Sequence, residues 1–92
     1  MKKEKLIKFI ESNKLNLDET DSAANSVCTV ICGFSLFIGY TDYKDLMGDL
    51  EESGINYSTS FFNEVQRVFD YAKSASYGKA WESQKYKDQY IY

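Results

Sequence analysis

Apolar residues recur near the start of the chain as Leu6, Ile7, Phe9 and Ile10. At about 3.6 residues per turn they share one face, so the spacing predicts a short amphipathic helix over 3–13, ending near Ser12 and Asn13. The stretch "DETDS", 18–22, gathers capping residues and acids ahead of an apolar run, as a helix start requires. That run, 23–38, fits two templates. As a helix it leaves Ser26, Thr29 and Gly33 on a narrow strip; as a strand, Cys28, Val30, Cys32, Phe34, Leu36, Ile38 and Tyr40 alternate on one side. Its length without a turn signal and the cap cluster upstream favour the helix, and in either form it lies in the middle of the core.

The next stretch, "TDYKDLMGDLEES" (41–53), reads as a helix with Thr41 as N-cap. Gly54 stands just past its end, and Ile55 supplies the closing apolar contact. A further cap cluster, "YSTS" (57–60), precedes Phe61, Phe62, Val65, Val68, Phe69 and Ala72, which share an arc about 120° wide and define the strongest helix pattern in the chain. After "SASYG" (74–78) the tail "KAWESQKYKDQYIY" admits a last helix carrying Trp81 or a short strand at "QYIY". These elements predict a mainly α protein: a small single domain over 1–92 with about four to five helices and at most one short β element.

At 92 residues such a domain buries well under about 70% of its unfolded surface, and dimerisation would help it. Histidine and proline are both absent, so no imidazole serves acid–base chemistry, a nucleophilic triad or a metal site. No enzyme activity and no cofactor are expected. Cys28 and Cys32 are too few for a four-ligand zinc site, and a disulfide across one helical turn would staple nothing, so both read as small core residues in a reducing compartment. Residues 22–41 carry no charge, but only about 14 of them are strongly apolar, short of the roughly 20 that a spanning helix needs. A soluble cytoplasmic protein is expected.

The formal charge of −3 hides a segregation. Residues 1–14 hold five Lys against two Glu; 15–66 hold nine acids against Lys44 alone; 67–92 hold five bases and three acids. On the 41–53 helix, Asp42, Asp45, Asp49 and Glu52 fall in an arc about 80° wide and are like-charge neighbours without Lys or Arg at i+4. They span roughly 15 Å, about one charge per 5 Å, whereas one DNA strand carries one per about 3.4 Å. One such edge imitates only a few phosphates. A longer imitation would recruit Asp18, Glu19, Asp21 or Glu64, and a second subunit. Basic and aromatic residues interleave in the last third, as Arg67, Lys73, Lys79, Lys85 and Lys87 with Tyr71, Tyr77, Trp81, Tyr86, Tyr90 and Tyr92. That pattern suits single-stranded nucleic acid, but with Asp70, Glu82 and Asp88 mixed in it reads more simply as core or dimer interface.

The chain's length, its Lys/Asn/Tyr-rich and proline-free composition, and the text "IESNKLNLDETDSAANSVCTVICGFSLFIGYTDYKDLMGDLEESG" resemble the anti-restriction nuclease (Arn) family of T-even phages. The resemblance implies a DNA mimic: an acidic dimer that occupies the DNA-binding surfaces of host proteins, including a modified-cytosine-dependent restriction nuclease and a histone-like nucleoid protein. No residue motif transfers with it. The carboxylates Asp42, Asp45, Asp49 and Glu52, supported by Asp18, Glu19, Asp21 and Glu64, are the expected phosphate-like contacts, drawn from the charge pattern alone. An immunity or antitoxin-type inhibitor, plugging the basic active site of a nuclease toxin, shares these electrostatics and is the alternative.

Overall fold

Helix ends divide this chain. The computed structural model describes residues 2–76, apart from the side chain of Asp21, and places four α-helices there: α1 (Lys2–Ser12), α2 (Asp21–Ile38), α3 (Tyr43–Glu52) and α4 (Thr59–Ser74). Among the described residues no strand occurs, so the mainly helical expectation is met. Both alternatives for the tail, a helix with Trp81 or a strand at "QYIY", lie outside the described residues.

Each turn is set by local chemistry. After α2, Gly39 takes φ 113°, its N–H reaches Leu36 O, and Tyr40 N–H returns to Ser35 O at 2.9 Å. After α3, Gly54 takes φ 74°, its N–H bonds Glu51 O and Ile55 N–H bonds Leu50 O at 3.0 Å. Both are Schellman closures, in which a left-handed residue lets the chain turn back and satisfy the last carbonyls. Lys14 closes α1 the same way at φ 53°, a conformation that costs a side-chain-bearing residue about 1 kcal/mol or more. The start of α3 departs from expectation. Its N-cap is Asp42, not Thr41: Asp42 is extended, and its carboxylate accepts the Lys44 N–H at 2.9 Å. Ser58 caps α4 by accepting the Phe61 N–H at 2.9 Å.

The ambiguous run is a helix, α2, which corrects the strand alternative. Ile31, Cys32, Phe34 and Ser35 are all buried because neighbours cover more than one of its faces. Phe9 of α1 stacks on Phe34 with centroids 4.0 Å apart. Leu46, Met47 and Leu50 of α3, and Phe61, Val65, Val68, Phe69 and Ala72 of α4, complete the same core. Cys28 and Cys32 are free and buried, as small core residues should be, and burial pushes the Cys28 thiol up to about 12 and raises Cys32 as well.

Helix α4 runs beside α2 in the same direction. Near their starts, Ser58 N–H donates to Leu17 O at 2.9 Å and Ser58 Oγ to Glu19 O at 2.5 Å; near their ends, Lys73 Nζ donates to Thr41 O at 3.1 Å. The two N-termini therefore share one end of the molecule, and α3 is the crossover that carries the chain back. Among the described residues no single helix is long and apolar enough to cross a membrane.

Candidate partner-binding surface

Helix α3 buries Leu46, Met47 and Leu50 and turns its opposite face to solvent. Asp42, Asp45, Glu51 and Glu52 are exposed there, around an exposed Gly48, while Asp49 is half-buried. The expected edge exists, but its charges are not the four unpaired ones that the sequence pattern suggested. Asp42 is consumed as the helix cap. Asp49 accepts a hydrogen bond from the hydroxyl of Tyr40. Glu52 pairs with Lys3 of α1 at 2.5 Å. Asp45 stands in the first turn, where the helix dipole favours an acid.

A physical rule sorts these partners. Carboxylates at the start of α3 are stabilised by its free N–H groups, whereas Asp49, Glu51 and Glu52 crowd the end, where the dipole is negative. Each of those three has found a donor: Tyr40, Tyr57 and Lys3 respectively. The donors register the contact. Burial and then the Asp49 carboxylate raise the Tyr40 phenol above its usual range; the Glu51 hydrogen bond does the same to Tyr57, and Glu52 raises Lys3. Lys2 lies over the Tyr40 ring at 4.8 Å. The basic first segment thus neutralises part of the acidic edge from within the chain.

The supporting acids sit at the shared end of α2 and α4. Asp18 and Glu19 are exposed; Glu19 Oε1 accepts from Asn16 Nδ2 at 3.2 Å, and the Asp18 N–H donates to Asn16 Oδ1 at 3.0 Å. The side chain of Asp21 lies outside the described residues. Glu64 belongs to neither group: it accepts from Arg67 at 2.8 Å and from Asn25 at 3.1 Å, and the Arg67 guanidinium, with Asn25, holds its carboxyl below the usual value. The loop and the α3 face are joined through 57–58. Tyr57 donates to Glu51 at 2.7 Å, and the adjacent Ser58 holds Glu19 O.

The charge pattern did not single out Glu51, Tyr57 and Phe62. Phe62 is 53% exposed and stacks on Tyr57 at 6.3 Å and 16°. The sequence pattern grouped Phe62 with the core arc of Phe61, Val65 and Phe69; lying about 100° around the helix from Phe61, at the edge of that arc, it falls outside the core instead. Of the basic C-terminal third, the described members are engaged: Arg67 with Glu64 and Lys73 with Thr41 O, while Tyr71 is 60% exposed. Lys79, Lys85, Lys87, Tyr77, Trp81, Tyr86, Tyr90 and Tyr92 lie outside the described residues. Among the described residues no cluster of three or more His, Cys, Asp or Glu side chains is arranged to hold a metal ion.

Fold and surface together define a small all-helical domain, over the described residues, in which α3 presents an acidic exposed side and is tied down by tyrosine hydroxyls. No family model, curated protein or solved structure matches the chain.

Proposed function

We propose that the chain is a protein inhibitor that offers carboxylates to DNA-binding proteins where they expect phosphates, acting on partners such as a modified-cytosine-dependent restriction nuclease or a histone-like nucleoid protein. The observation that carries this reading is the solvent-facing row Asp42, Asp45 and Glu52 on α3, with Asp18 and Glu19 exposed as well. Between residues 15 and 66 a single base, Lys44, opposes nine acids. Lysine and arginine of a partner would pair with the row at its exposed members; Asp49, bonded to Tyr40, contributes field more than contact. The row is short, and a homodimer would lengthen it.

Competition measures this directly. Added chain should displace labelled duplex DNA from a purified histone-like nucleoid protein, less effectively as salt rises, with a salt slope shallower than that of DNA because a protein carries a thinner counterion cloud. Reversing Asp45→Lys and Glu52→Lys together, both exposed, should weaken displacement by at least about tenfold, the cost of turning two attractive pairs repulsive. Unchanged displacement would sink the reading. Displacement from one nuclease toxin only, with none from general DNA-binding proteins, would assign the chain to the immunity or antitoxin class instead.

A further inference from the structure

Phe62 and Tyr57 leave an aromatic step on the surface that the core does not use. Phe61, its neighbour in α4, is fully buried, while Phe62 is 53% exposed and lies nearly parallel to Tyr57 with centroids 6.3 Å apart. The Tyr57 hydroxyl donates to Glu51 Oε1 at 2.7 Å, which orients that carboxylate beside the rings. Its second oxygen has no hydrogen bond or ion pair among the described residues. Glu51, Tyr57, Ser58, Thr59 and Phe62 line an open pocket of about 390 Å³.

A ring face and a carboxylate side by side select few ligands. An anion is repelled by Glu51, and an apolar group would strip water from the carboxylate without replacing its hydrogen bonds. A planar cation meets both demands, lying over a ring while its N–H groups reach the free oxygen. The N-terminus of α4 opposes a cation with about half a charge, less than the full charge of Glu51, and its Phe61 N–H is already taken by Ser58. Arg67, the one arginine of the chain, is held by Glu64 and does not fill the place.

We infer that the Tyr57–Phe62 step beside Glu51 is a receptor for a guanidinium group, the side chain of an arginine on a partner protein. It deepens the proposed function and rests on it only for the premise that the partner is basic. The rings add what a row of carboxylates lacks: a preference for arginine over lysine, whose compact ammonium stacks poorly and is more strongly hydrated.

The test is an amide NMR titration of the full chain with three capped tripeptides, Gly-Arg-Gly, Gly-Lys-Gly and Gly-citrulline-Gly. The arginine peptide should give saturable shifts at Glu51, Tyr57, Ser58 and Phe62, the lysine peptide should bind about 3-fold more weakly, and the uncharged citrulline peptide should give none. Phe62→Ala, which touches an exposed ring, and Glu51→Gln, which keeps an acceptor for Tyr57, should each weaken arginine binding about 3- to 5-fold. Equal binding of arginine and lysine, or no loss in Phe62→Ala, overturns the inference. Shifts confined to Asp45 and Glu52 overturn it too while leaving the carboxylate row standing, and the DNA-displacement assay reports separately whether that row functions.

Discussion

Tyr40 is buried at the end of α2 with its hydroxyl on Asp49, so its ionisation would set a phenolate in the core beside a carboxylate. Its ionisation point is raised above the ordinary 10.0. The neutral phenol is thus favoured by folding: the stability it contributes is whole below about pH 10, where unfolded tyrosine begins to ionise, and drains away as pH climbs from there toward the folded value. Thermal melts from about pH 8 to about pH 11 should show Tm falling at the alkaline end, with a shallower fall in Tyr40→Phe. Ser35 is the opposite case, a fully buried hydroxyl without a hydrogen-bond partner among the described residues. Ser35→Ala should therefore raise stability by about 1 kcal/mol in urea unfolding, since it deletes a desolvated polar atom and little volume.

At the scale of the element, α3 carries an unexplained cost. Gly48 sits inside the helix, exposed, and a Cβ built there would meet nothing within 4 Å. Gly48→Ala should then stabilise the chain by about 1 kcal/mol in the same unfolding experiment. The glycine also leaves the middle of the outward face without a side chain, so a comparison of DNA displacement by the variant reads whether close approach matters there. The elements themselves were legible in different degrees. Helices α1, α3 and α4 show apolar stripes on one side and capping or glycine signals at the ends, and their spans emerged within a residue or two. Helix α2 was ambiguous because it is apolar on most sides, and a segment packed by both α1 and α4 loses the periodicity that separates helix from strand.

Over the whole molecule, the acidic face was legible as charge but not as chemistry. Four carboxylates at helical spacing predicted an edge, and α3 has one. The donors to Asp49, Glu52 and the neighbouring Glu51 come from elsewhere: Tyr40 is 9 positions from Asp49, Tyr57 is 6 from Glu51, and Lys3 is 49 from Glu52. No i,i+4 rule reaches those distances, because turns and tertiary packing create them. Ser58 ties the loop before α2 to the start of α4 through the Glu19 carbonyl, a link that a linear charge count does not contain. Glu64 went the other way, its charge answered by Arg67 one turn along its own helix.

The shared direction of α2 and α4 bears on how the chain reaches this state. Neighbours in an up-and-down bundle can zip from a short loop, but contacts such as Asn25 with Glu64 and Cys28 with Phe61 close loops of 39 and 33 residues. The ordering entropy of such loops must be met before their contacts reward it, which raises the contact order above that of a simple helical hairpin. Stopped-flow refolding should accordingly be slower for this chain than for an up-and-down helical bundle of equal length.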